Sequence, residues 1–132
     1  MFSCLKRRAA GPAGDTLTPS ACLNRYEPSA TMLDVRTPGE FAKGHLSCAV
    51  NVDVMAADFR AQVEALGLDC STPVYLYCRS GNRSGKAAKM LRQMGFTDAY
   101  NVGSYGALKA VGFETDGPNH HGRFAEGRDR EE

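Results

Sequence analysis

The sequence predicts an α/β domain built on a parallel sheet with helices on both faces. Two observations point there. Short apolar runs alternate with stretches of helical period, joined by short loops, from about residue 15 to residue 102. The most apolar run, Pro73-Val74-Tyr75-Leu76-Tyr77, has no polar face, as a central strand covered on both sides requires. At 132 residues and 42% hydrophobic content the chain suits one compact domain.

Taken in order, residues 1–14 are rich in Ala, Gly and basic side chains and read as a flexible arm, its patch Lys6-Arg7-Arg8 being a solvated tail rather than a lipid or partner site. The domain is expected over residues 15–115. Thr18-Pro19 offers a cap and a first-turn proline for a helix ending near Arg25. Thr31 to Val35 reads as a buried strand. Thr37-Pro38-Gly39-Glu40 is a capping box for a helix over 38–43 that Gly44 stops. Ala49 to Val52 is a second strand. Met55, Phe59, Val63 and Leu66 recur at helical spacing before Gly67, which predicts a helix with all four in the core. The strand 73–77 follows, ending at Cys78, then a helix from Ser84 to Met94 that buries Ala87, Ala88, Leu91 and Met94 and leaves Lys86, Lys89 and Arg92 in water. Gly95 ends it, and Asp98 to Val102 makes a fourth strand. Residues 116–132 are polar and read as a disordered tail, where adjacent His120 and His121 lack partners for a metal.

The net charge of +1 gives no ground for nucleic acid or acidic membranes as partners, and no segment approaches the length of a bilayer span. The basic N-terminus is not followed by a signal-peptide core. Five cysteines without a C-x-x-C pair argue against a disulfide framework or zinc knuckle, so a cytoplasmic location is expected.

The chemistry is concentrated in Cys78-Arg79-Ser80-Gly81-Asn82-Arg83-Ser84. A cysteine at a strand end, followed by a loop that opens a helix, sits where three effects favour its thiolate. Loop amides can form an anion-binding nest, the helix N-terminus adds roughly half a unit of positive charge, and two arginines lie near. Gly81 can take the positive φ that such a turn needs. A nucleotide-binding loop is excluded by count: three residues separate Gly81 from Gly85-Lys86 where four are required, and Ala87 stands in place of Ser or Thr. Asn82-Arg83-Ser84 fits a glycosylation sequon, but nothing leads the chain to the secretory route.

Asp34-Val35-Arg36-Thr37-Pro38-Gly39-Glu40-Phe41, Gly44-His45-Leu46, Ala49-Val50-Asn51-Val52, the Cys78 loop, Gly95-Phe96 and Tyr100-Asn101-Val102-Gly103 together resemble the rhodanese family over roughly residues 16–115. The resemblance implies a central five-stranded parallel sheet and a sulfurtransferase in which Cys78 takes a sulfur from a small anionic donor such as thiosulfate. It then passes that sulfur to cyanide, a thiol or a sulfur-accepting protein, and the resemblance implies no cofactor and no metal for this exchange. The superfamily's phosphatases place five residues between Cys and Arg, one more than this loop has, which favours sulfur over phosphate. Alternatives are a persulfide carrier and a non-catalytic binding or regulatory module. Arg83 is expected to point inward and Arg79 toward the mouth, both toward donor oxygens, while Ser80 and Ser84 can donate hydroxyls and Ser84 can also cap the helix. Asp34, Arg36, Glu40, His45 and Asn51 are expected to pin loops through ion pairs and hydrogen bonds. Asp53, Ser104, Leu108 and Cys48 depart from the family pattern and leave the pocket rim and acceptor open. Cys48 reads first as a small buried side chain, and second as a resolving thiol.

Overall fold

The computed structural model describes residues 14–117. The expected arm up to Ala13, the tail beyond Gly117 and His120–His121 lie outside the described residues. Four parallel strands form the sheet: β1 (Thr31–Asp34), β3 (Ala49–Asn51), β4 (Val74–Cys78) and β5 (Ala99–Ser104), in the order β3-β1-β4-β5. The expected fifth strand shrinks to a single parallel bridge, Thr16 to Asn101. Leu17 N donates to Asn101 O at 3.0 Å and Asn101 N to Asp15 O at 2.7 Å, so the fifth position is filled by two bonds and the chain then turns into a helix.

Strand β4 shows why this run can be apolar on both faces. Val74, Leu76 and Cys78 face α3 (Phe59–Ala65) and α4 (Asn82–Gln93), where Phe59, Val63, Ala88 and Leu91 complete one half of the core. Tyr75 and Tyr77 face α1 (Pro19–Arg25) and α5 (Tyr105–Val111), where Cys22 and Leu108, with Phe113 just past α5, close the other half. The period of two along the strand therefore feeds two separate layers.

Local chemistry placed several boundaries well. Thr18 Oγ1 accepts from Ala21 N at 3.1 Å at the start of α1. Thr37 and Glu40 form both halves of the capping box of α2 (Pro38–Lys43), which ends at Gly44. Elsewhere the structure corrects the sequence. Helix α3 begins only at Phe59; Met55 precedes it in a turn and is 70% exposed, and Leu66 is its C-cap at 37% exposure, so half of the predicted stripe is not core. Helix α4 starts at Asn82, two residues earlier than expected. Met94 is half-buried, and Arg92 is not a solvated side chain, because its Nε donates to Ala99 O at 2.9 Å.

Three elements were not predicted. Helix α5 is capped by Ser104, whose Oγ accepts from Ala107 N at 3.1 Å. β2 (His45–Leu46) and β6 (Thr115–Asp116) pair antiparallel as a small second sheet. Thus order extends past residue 115 at least to Asp116. No helix of the described residues is long and apolar enough to cross a membrane.

Candidate active site

The site lies at the C-terminal edge of the sheet, where β4 hands the chain to α4. Cys78 is the last residue of β4 and is fully buried. The next three residues bend under its side chain, and the bend depends on Gly81, which caps α4 at φ 97° and ψ −13°. A side chain is strained in that left-handed region, and glycine is not. Gly81 N donates to Cys78 Sγ at 2.9 Å, and Ser84 N and Ser84 Oγ each reach the same sulfur at 3.3 Å. No side chain caps α4, so the sulfur takes the place of a capping oxygen at its first turn.

The electrostatic outcome is a contest. Burial pushes the Cys78 thiol up, but the Ser84 hydroxyl and the amides of Ser84, Ser80 and Gly81 push it down further. The net value falls below that of an ordinary cysteine. Every group named here as touching Sγ is a donor, which suits a sulfur carrying negative charge.

Asn101, which the sequence reading left outside the site, ties the loop to β5. Its Nδ2 donates to Gly81 O at 3.0 Å, while its Oδ1 accepts from Gly103 N at 3.1 Å and from Ser84 Oγ at 2.7 Å. Ser84 has a single hydroxyl proton and two acceptors, Sγ and Oδ1, so its proton can follow the charge on the sulfur. Ser84 is fully buried as the third residue of α4 and is not its cap. A bulge in β5 accompanies this arrangement: Leu76 faces Asn101 but Tyr77 faces Gly103, which leaves Val102 as the extra residue.

The two arginines part company. Arg79 and Ser80 are exposed, and Arg79 makes no side-chain hydrogen bond or ion pair among the described residues. Asn82 is exposed as well. Arg83, expected to point inward, instead lies fork to fork on Glu40, with Nη1 to Oε1 at 2.8 Å and Nη2 to Oε2 at 3.0 Å.

The polar residues of the 34–51 segment do pin the neighbouring loops. Asp34 and Arg36 form a buried ion pair at 2.6 Å, and Arg36 also reaches Gly44 O at 2.6 Å. Asn51 Nδ2 donates to Asp34 O and Arg36 O, each at 2.9 Å. The His45 ring stacks on Phe41 at 3.6 Å with Nδ1 2.7 Å from Phe41 O. Cys48 is exposed rather than buried. It cannot be a resolving thiol in this fold either. Ala49 is level with Met32 and Tyr75, so Cys48 lies at the far end of the sheet, two strands over. At roughly 3.3 Å per residue and about 4.8 Å per strand, Ala49 is already on the order of 14 Å from Cys78, well beyond disulfide reach. No cluster of three or more potential metal-ligating side chains is found among the described residues.

Comparison with known proteins agrees with this fold. The profile of the rhodanese-like domain matches residues 18–110. The chain is 40% identical over 73 residues to the uncharacterized protein YqhL of Bacillus subtilis, an alignment covering 55% of each protein, so it spans about half the length of that relative. It is 33% identical over 87 residues to the thiosulfate sulfurtransferase GlpE of Pseudomonas aeruginosa, covering 65% of this chain and 74% of that one. The solution structure of a rhodanese-like domain from an Anabaena protein superposes with a TM-score of 0.67 at 25% identity over 89% of both chains.

Proposed function

This chain belongs to the rhodanese-like domain family, and on that premise we propose that it is a sulfurtransferase whose Cys78 carries the transferred sulfur as a persulfide. The observation that supports this most directly is the convergence of the Gly81 amide, the Ser84 amide and the Ser84 hydroxyl on one sulfur that ends a central strand.

In the first step the Cys78 thiolate attacks the outer sulfur of a donor such as thiosulfate. A new S–S bond forms to Sγ, the donor's S–S bond breaks, and sulfite leaves with the bonding pair. The negative charge moves to the outer sulfur of the persulfide. In the second step cyanide or a thiolate attacks that outer sulfur, leaves as thiocyanate or a new persulfide, and returns Cys78 as thiolate. No proton is transferred in either step, so a general base is not required, and His45 is held elsewhere on Phe41. The amides of the loop are fixed before the donor arrives, which spares reorganisation as charge moves along the S–S axis. The exposed Arg79 supplies a charge to meet an anionic donor.

The test is intact mass after incubation with thiosulfate and removal of small molecules. The full chain is expected to gain one sulfur atom and to lose it to cyanide with release of thiocyanate, and Cys78→Ser is expected to do neither. A wild-type chain that gains no sulfur from thiosulfate or an organic donor would overturn the proposal.

A further inference from the structure

The second arginine of the loop does not face the sulfur as an uncommitted charge. Both of its terminal nitrogens are engaged by Glu40, at 2.8 and 3.0 Å. Glu40 is itself fixed, since its Oε1 also accepts from Thr37 N at 3.0 Å and Thr37 Oγ1 at 3.2 Å in the capping box of α2. The box that starts one helix therefore aims a carboxylate at the first turn of another. Asp53, after β3, adds a second negative charge that acts on Arg83. Around the cradle stand two cations, Arg79 and Arg83, and two anions, Glu40 and Asp53. Of the two cations, Arg79 alone has no ion-pair partner among the described residues.

We propose that Glu40 is a specificity-determining residue, which by holding Arg83 tunes the cradle to sulfur donors with a single negative charge, such as organic persulfides and thiosulfonates, over dianions such as thiosulfate. The inference rests on the persulfide reading of Cys78. Its physical ground is that a second negative charge on a donor loses its water on entering but meets no further unpaired cation. Transfer from a monoanion balances as before: the Cys78 thiolate takes the outer sulfur of R–SO2–S⁻, the S–S bond breaks, and the sulfinate R–SO2⁻ leaves with the pair. Glu40 stays ionised at any physiological pH, because the Arg83 fork holds its carboxyl at about 2, so the latch is a fixed feature and not a titrating one.

Glu40→Gln separates charge from cap, since the amide oxygen can still accept from Thr37 N while the amide nitrogen no longer attracts Arg83. With the full chain, KM and kcat are measured for thiosulfate and for benzenethiosulfonate. In Glu40→Gln the KM for thiosulfate is expected to fall about tenfold, with kcat and the KM for benzenethiosulfonate within about twofold, and the gain should shrink as salt screens it. Thr37→Val weakens the cap without touching the charge and should leave the ratio of the two KM values unchanged. If it reproduces the Gln effect, or if Glu40→Gln leaves that ratio where it was, the proposal fails.

A binding arm does not depend on turnover. Sulfate should bind Cys78→Ser more tightly by about tenfold once Glu40→Gln is added, and equal binding overturns the role of Glu40 even where sulfur transfer is intact. Failure of the wild type to form a persulfide would instead sink only the reading of Cys78. Should Glu40→Gln fail to fold, Glu40→Asp keeps the charge but is too short for the fork, and it should shift the same ratio in the same direction by a smaller factor. An unshifted ratio counts against the proposal.

Discussion

At Cys78 two opposite forces act on one proton. Burial favours the neutral thiol, while donors at 2.9 and 3.3 Å favour the thiolate and prevail. Gly81 supplies the shortest of these, and its amide points at the sulfur because its φ is 97°. An alanine there must either keep that angle, at a cost of about 1–2 kcal/mol, or relax and turn the amide away. Gly81→Ala is therefore expected to lower unfolding stability by about that amount and to move the pH midpoint of Cys78 alkylation upward. A midpoint equal to wild type in Gly81→Ala would show that this amide does not set the thiolate. At this scale the sequence was legible where the signal was local. The order Cys, loop, glycine, helix announces an anion cradle within seven residues. Asn101 was not legible, because its partners Ser84 and Gly81 are 17 and 20 residues away and its orientation depends on a bulge at Val102. The direction of Arg83 was missed for the same reason, its partner being 43 residues distant.

Between elements, the joint that matters most is the one from α2 to α4. Glu40 serves as third residue of a capping box and as ion-pair partner of Arg83, so α2 is fixed to its own start and to the first turn beneath the site. The Arg83 fork, acting against partial burial and helped by Thr37, lowers the Glu40 carboxyl from 4.5 to about 2. The sign follows from linkage. A depressed carboxyl adds stability that is complete above its unfolded value and is lost as pH falls toward about 2. Wild type should therefore lose more stability between pH 5 and pH 2 than Glu40→Gln does. A difference of about 1 kcal/mol is expected for a half-exposed pair with its cap. Parallel acid limbs in denaturant titrations would refute this. Caps were the part of the element scale best read from sequence, because Thr18 and Thr37 act within three residues. Helix α5 escaped because it buries Leu108 alone and contains Gly106, leaving no periodic stripe. Met55 was drawn into α3 because its spacing is helical, although the chain there turns at Asp53, whose carboxylate accepts from Met55 N at 2.8 Å. The pairing of β2 with β6 joins residues about 70 positions apart, which no local pattern records.

For the molecule as a whole, the family resemblance holds over residues 18–110, and the sheet it implied is present with one strand reduced to a strap. That strap is the first described segment to join the sheet. Asp15 O and Leu17 N hold the outer edge of β5 at Asn101, the residue whose side chain also holds the Gly81 carbonyl, and Leu17 is buried against the α1 and α5 layer. We therefore propose Asp15 as the N-terminal boundary of the domain. A chain beginning at Thr18 loses both backbone bonds, each worth about 1 kcal/mol, and the burial of one leucine, worth about 2 kcal/mol. For a domain of this size, a loss of about 4 kcal/mol lowers the melting temperature by about 15 °C or more. It also uncovers the edge of β5, whose free amides and carbonyls can pair with another copy. A chain beginning at Asp15 keeps both backbone bonds of the strap and should elute as a single species in gel filtration. One beginning at Thr18 should melt far lower and tend to associate. If the two shortened chains melt together, the strap contributes nothing and the boundary lies further into the sequence.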